Sequence, residues 1–195
     1  MKIAFVGAGS VSRALAPLFE AAGHAVALGE RADLPGILSG SELVVLAVPF
    51  AATRELLPGL AEALAGKVVV DATNPVNPDW SPMLLGQESS AGEEVAKFLP
   101  GSRVVKAFNT VFADVMRPER LVRGGHRVTC FVASDAEDAA RIVAEVATDA
   151  GFAPRLVGPL KMARYLEAMA HLNIQIAAGM KGGTNAAFIY DQSVS

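Results

Sequence analysis

Short runs of continuously apolar residues alternate along this chain with longer stretches of mixed, helix-compatible composition. Ile3-Ala4-Phe5-Val6 is the first such run, and runs without polar alternation suit parallel strands covered on both faces. Ser10 to Ala22 follows with helical character, and Gly23 stands where a left-handed C-terminal cap is expected. Pro17 removes one backbone donor from that helix. Further strands are predicted at His24–Leu28, Leu43–Val48, Lys67–Asp71, Arg103–Phe108, Arg127–Ala133 and Phe152–Val157. Between them, Ala51–Ala65 reads as a helix interrupted at Pro58-Gly59. Ser90-Ala91-Gly92-Glu93 and Ser134-Asp135-Ala136-Glu137 read as capping boxes, opening helices that run to Leu99 and Gly151. A long helix is expected from Pro159 to about Ala178, and Thr73–Glu88 is irregular.

Alternation of this kind predicts a mainly parallel sheet with helices on both faces, joined by right-handed crossovers. The expected fold is therefore α/β: a Rossmann-like, doubly wound sheet with a small C-terminal α/β lobe. Residues 1–124 are expected to form the dinucleotide-binding domain, and 125–195 a smaller lobe closing a cleft. Only 14 residues separate Leu28 from Leu43. One crossover needs at least about 10–12 residues, so the usual helix–strand–helix has no room. The sheet should be shortened at its adenine-side edge.

Gly7-Ala8-Gly9-Ser10-Val11-Ser12 follows the first strand and opens the first helix, the context in which a glycine pattern gains meaning. The first glycine permits a tight turn, and the second lets backbone approach a pyrophosphate. The helix N-terminus then offers free N–H groups and partial positive charge. Ser12 stands where a third glycine usually lets helix and strand pack closely. Ser10 and Ser12 either donate to phosphate or cap the helix. Glu30 lies 21 residues beyond Gly9, where an acid usually holds the ribose 2′-hydroxyl of NAD. Arg31 follows it and suits the 2′-phosphate of NADP, so the two residues give opposing signals.

Composition narrows the remaining choices. Hydrophobic residues make up 52% of the 195 and charged residues 19%, enough apolar material for a sizeable core. The net charge of −3 provides no basic field, so a nucleic-acid partner is not expected. Arg117–Arg127 reads as a solvated loop. Cys130 lies within an apolar run and is expected to pack as a core residue in a reducing compartment. The first apolar run ends at Val6, short of the about 7–15 residues of a signal sequence. No run approaches the about 18 residues of a membrane span. A cytoplasmic location without membrane attachment is expected. No metal-spaced cluster and no nucleophile–histidine pairing is visible. Asp71 reads as a loop brace, Lys106 as a phosphate contact or an outward-snorkelling side chain, and His171 as a packing residue. Asn74-Pro75 and Asn77-Pro78 are also ordinary turn formers.

The glycine loop, Ala47-Val48-Pro49-Phe50, Asp71-Ala72-Thr73-Asn74-Pro75 and Val105-Lys106-Ala107-Phe108-Asn109-Thr110 together form a distinctive set, with Gly158-Pro159-Leu160 and Arg164-Tyr165-Leu166-Glu167. Through them the chain, from Met1 to Tyr190, resembles the NADP-dependent reductases of the deazaflavin coenzyme F420. The resemblance implies that Gly7, Ala8, Gly9, Ser10 and Val11 hold the pyrophosphate of NADPH. Arg31 would take the 2′-phosphate, with Glu30 replacing the serine usual in the family and repelling that phosphate. Val48, Pro49 and Phe50 would lie near the nicotinamide ribose. Asn74, Pro75, Asn109, Thr110 and Val111 would line the cleft where nicotinamide meets its acceptor, which Gly158–Glu167 would close.

The resemblance also implies hydride transfer to coenzyme F420 or a flavin-like acceptor such as FMN or FAD. No catalytic side chain is required, because the cofactors carry the chemistry and the protein aligns them. Two alternatives accompany it: a flavin-dependent ferric reductase, since soluble domains of membrane ferric reductases share this fold, and a dinucleotide-binding sensor without turnover. The resemblance, with the apolar segment Ala186–Tyr190, also points to a homodimer.

Overall fold

The computed structural model describes residues 1–29, 33–83, 85 and 88–193. Its elements in chain order are β1 (Lys2–Val6), α1 (Ser10–Ala21), β2 (Ala25–Gly29), α2 (Leu34–Ser39), β3 (Leu43–Leu46), α3 (Phe50–Leu56), α4 (Ala61–Leu64) and β4 (Val68–Asp71). They continue with α5 (Ala91–Phe98), β5 (Arg103–Lys106), β6 (Val122–Arg123), β7 (His126–Arg127), β8 (Thr129–Ser134), α6 (Glu137–Asp149), β9 (Ala153–Gly158) and α7 (Ala163–Ile174).

Seven strands form one sheet in the order β2-β1-β3-β4-β5-β8-β9. All neighbours are parallel except β5 and β8. The continuously apolar strands are explained by burial on both faces. In β1, Ile3 and Phe5 join the core beneath α1 and α6, whereas Ala4 and Val6 join the core beneath α2, α4 and α5. Among the described residues, only the six-residue α2 lies between β2 and β3, and β3 pairs directly with β1. β2 is consequently an edge strand, and the expected shortening of the sheet is observed.

Several local expectations hold. Gly23 has φ 86°, and the bonds from Gly23 N to Glu20 O and His24 N to Phe19 O complete a Schellman cap on α1. Pro58 opens a 3₁₀ turn at Leu57–Leu60 that separates α3 from α4. Ser90 is the N-cap of α5: its Oγ accepts from Glu93 N and donates to the Glu93 carboxylate. The 117–127 stretch, expected as a solvated loop, instead forms a 3₁₀ turn and the β6–β7 hairpin with its tip at Gly124-Gly125, anchored by the buried Leu121.

The second capping box does not form. Ser134 remains in β8, where its Oγ donates to Val104 O and accepts from Ala136 N. With that side chain engaged by the sheet, α6 begins at Glu137 without a side-chain cap. Two further boundaries move. β5 ends at Lys106 because Phe108 takes a left-handed backbone. The last helix begins at Ala163 after a 3₁₀ turn at Leu160–Met162, and closes through a π turn at Gln175–Gly179. No helix among the described residues is long and apolar enough to cross a membrane.

Candidate active site

The loop from β1 to α1 is fixed by two short-range constraints. Gly7 has φ 105°, and a Cβ there would lie 2.7 Å from the Ala47 carbonyl oxygen and 2.9 Å from Val48 Cγ1. No larger residue fits against the end of β3. Ser12 is fully buried, and its Oγ donates to Gly7 O at 2.7 Å. Ser12 therefore ties helix to loop and is not a phosphate ligand. Gly9 caps α1 with no side-chain partner, and nothing approaches a Cβ built on it closer than 4.0 Å. The backbone at the N-terminus of α1 thus leaves room beside Gly9, as close approach of an anion requires.

A cavity of about 480 Å³ begins at Ser10 and Val11 and extends across the carboxyl ends of β4 and β5. The loop after β4 contributes Ala72 and Asn74, and the loop after β5 contributes Phe108 to Asp114. The π turn and α7 supply the opposite wall through Ala170, Asn173, Ile174, Ala177 and Ala178. Of the residues expected at the site, Ser10, Val11, Asn74, Asn109, Thr110 and Val111 line this cavity. Pro75 lies behind it, with its carbonyl accepting from His171 Nε2 at 3.0 Å. Pro49 is the N-cap of α3. Phe50 lines a separate depression with Arg54, Met83 and Phe98. Glu30 and Arg31 lie outside the described residues.

Asn74 and Asn109 lock the two strand-end loops together. Asn74 Nδ2 donates to the Asn109 carbonyl at 2.8 Å, and Asn109 Nδ2 donates to Asn74 Oδ1 at 3.0 Å. Asn109 Nδ2 also reaches Leu166 O of α7 at 3.2 Å. The turn that brings Asn109 and Thr110 into the cavity depends on Phe108, whose φ is 63°. A left-handed non-glycine residue costs about 1–3 kcal/mol. The Phe108 ring is held between Phe19 and Phe152 at centroid distances of 5.9 and 5.5 Å, and this packing opposes relaxation of the backbone.

Behind the cavity lies a buried charge cluster that corrects the expectation for Lys106. Its ammonium neither meets phosphate nor snorkels outward. It is wholly buried, 2.9 Å from Asp71 Oδ2 and 2.9 Å from Glu167 Oε1, and donates to Thr73 O at 2.7 Å. Burial alone would push its pKa down, but the Asp71 and Glu167 carboxylates outweigh burial and hold it above the usual lysine value. Asp71 is the expected brace, also accepting from Thr73 N at 2.9 Å. Glu167 further accepts from Ala91 N and Gly92 N at the start of α5, at 2.9 and 3.1 Å. The sum of one cation and two carboxylates is thereby offset by the positive end of a helix.

Sequence reasoning did not single out Asn173 or Trp80 of the cavity wall. The signal for Asn173 was present: it interrupts the apolar face formed by Leu166, Ala170, Ile174 and Ala177. Titratable side chains at the cavity are sparse. Asp114 lines it but accepts from the Thr184 hydroxyl.

Residues 30–75 match the model of the NADP oxidoreductases, coenzyme F420-dependent. The F420-dependent NADP reductase of Methanothermobacter thermautotrophicus is 31% identical over 172 residues, spanning 85% of this chain and 73% of that protein. The chain belongs to this family. A solved structure from Arthrobacter sp. FB24, provisionally assigned as an F420-dependent NADP-reductase, superposes with a TM-score of 0.87 at 28% identity. The match covers 98% of this chain and 100% of the other. The rat metalloreductase STEAP3 is 31% identical over 183 residues; these span 86% of this chain but only 36% of STEAP3.

Proposed function

We propose that this protein is an NADPH-dependent oxidoreductase that transfers hydride between the nicotinamide and a deazaflavin or flavin-like acceptor. One observation carries the reading: a single cavity runs from the uncapped N-terminus of α1 to a mainly apolar chamber at the strand ends. The open space beside Gly9 and the closely packed Gly7 fit a pyrophosphate at the start of α1. Bound NADPH supplies the hydride. The chain would hold the pyrophosphate on Gly7 to Val11 and the 2′-phosphate on Arg31. Asn74, Asn109, Thr110 and Val111 would orient the reacting rings within the about 3–3.5 Å that transfer requires.

Phe108, Val111, Phe112, Ile174 and Ala177 line the chamber with apolar surface that excludes water. Residues 125–195 would act as the lobe that closes the chamber, since α7 and the π turn form its second wall. No side-chain acid is needed for the transfer itself. A homodimer in the cytoplasm is part of the same reading, supported by exposed apolar groups at Leu172, Ile176, Met180, Ile189 and Tyr190.

The test is loss of reduced-nicotinamide absorbance when the purified protein is given NADPH with a 5-deazaflavin, FMN or FAD. Turnover with at least one acceptor is expected, and turnover with none removes the proposal. Tight NADPH binding without reduction of any acceptor would mark a sensor instead. The likeness to STEAP3 favours a second reading, ferric reduction through a diffusible flavin. Stimulation of ferric reduction by added flavin would distinguish it.

A further inference from the structure

The Asn173 side chain has no hydrogen-bond partner among the described residues. It is only 7% exposed, lines the cavity, and makes no side-chain hydrogen bond or ion pair among the described residues. The neighbouring positions on the same helical face are Ala170, Ile174 and Ala177, all apolar and all on the cavity wall. An amide on an otherwise apolar wall is left to meet solvent or a ligand in the cavity. Packing alone would favour leucine there. Thr110, on the strand-end loop, is 3% exposed, and its hydroxyl likewise makes no hydrogen bond among the described residues. Two largely buried residues with polar groups unpartnered among the described residues thus border a chamber whose remaining walls are mainly apolar. This is the pattern of a site that orients a planar, mostly apolar ligand by a few polar contacts.

We infer that Asn173 selects the acceptor by pairing its side-chain amide with a –CO–NH– edge of the acceptor ring, with Thr110 flanking that edge. The inference rests on the hydride-transfer reading and names the acceptor class: planar rings bearing an imide. The chemistry is reciprocal. An asparagine amide offers an acceptor oxygen beside N–H donors, and a ring imide offers an N–H beside carbonyl oxygens. The reduced nicotinamide also carries an amide. However, Asn173 approaches from α7, whereas Asn74 and Asn109 already line the strand-end side where nicotinamide is assigned.

The test compares riboflavin with N3-methylriboflavin, in which the imide N–H is replaced, by fluorescence-quenching titration of the full chain. The unmodified protein should favour riboflavin by about tenfold, since a site built to hydrogen-bond a group rejects the analogue lacking it. Asn173→Leu should bind both flavins equally, at the weaker level. It should keep its NADPH affinity and melt no lower than the unmodified protein, because no internal hydrogen bond is lost. An undiminished riboflavin preference in the variant overturns the inference. So does a fall in NADPH affinity, a lowered melting temperature, or failure of either flavin to bind. The hydride-transfer reading fails separately. Flavin discrimination without NADPH oxidation removes the enzyme but keeps the role of Asn173, whereas turnover without discrimination does the reverse.

Discussion

Ser12 Oγ donates to the carbonyl of Gly7 at 2.7 Å, and the serine is completely buried. A hydroxyl thus occupies the position of the usual third glycine and draws the helix onto the loop by a hydrogen bond. Ser12→Ala should lower stability by about 1 kcal/mol and weaken NADPH binding severalfold, because the Gly7 turn loses its tether. Chemical denaturation and calorimetric titration of the same variant would check both effects. Unchanged NADPH affinity would show that the loop holds its shape without the tether.

Glu167 joins the last long helix to both the sheet and the start of α5. Removing one partner of a buried ion pair costs about 3–5 kcal/mol, so Glu167→Ala should be among the most destabilising changes in the chain. The pH dependence has a definite sign. Lys106 is held above its ordinary value in the folded protein, so its contribution is full below the unfolded lysine value of 10.5. It is lost only as pH rises through the higher folded value. Thermal melts should show no Lys106-linked change between about pH 7 and 9 and a loss of stability under strongly alkaline conditions. A Lys106-linked loss near neutrality would contradict the charged cluster.

Phe108 combines a left-handed backbone with a ring buried among aromatic neighbours. Phe108→Ala loses the ring and keeps the strain, at about 3–5 kcal/mol. Phe108→Gly loses the ring but relaxes the backbone, and should be more stable than the alanine variant by about 1 kcal/mol. Denaturant midpoints of the two variants decide the order. An alanine variant as stable as the glycine variant would mean that the turn is not strained.

Cys130 is fully buried in β8, and burial pushes its thiol pKa up to about 12. Thiolate is the reactive form. The native protein should therefore resist a thiol reagent near neutral pH and label fully once unfolded. Rapid native labelling would show that β8 opens readily.

Cofactor choice is expected to depend on Arg31 and Glu30, on sequence grounds. Arg31→Ala should weaken NADPH binding while leaving NADH binding unchanged. Glu30→Ser should strengthen NADPH binding by removing a repelling carboxylate. Titration of each variant with both nucleotides tests the pair.

The sheet was legible because its central strands are short apolar runs buried on both faces. The shortened edge was legible from the distance between Leu28 and Leu43. Ser90 could be read as a cap because nothing else competes for its hydroxyl. Ser134 could not, since the competing acceptor, Val104 O, lies on a strand far away in sequence. Lys106 was misread for the same reason. Its neighbours along the chain are apolar, and its partner Glu167 is supplied by a distant helix. Asn109 and Thr110 were marked by motif, whereas Asn173 is marked by a break in the apolar face of its helix, and its place on the cavity wall follows only once α7 is packed.

The Glu167 carboxylate has a consequence for the order in which the molecule is completed. Residues 91, 92 and 106 are synthesised well before residue 167, which satisfies all three. Until that helix emerges, Lys106 has only Asp71 and the Thr73 carbonyl to offset its desolvation, or the strand end must remain hydrated. Maturation of the chamber is thereby coupled to arrival of its far wall. A nascent chain ending before α7 could form strands, but would lack the keystone that seals them.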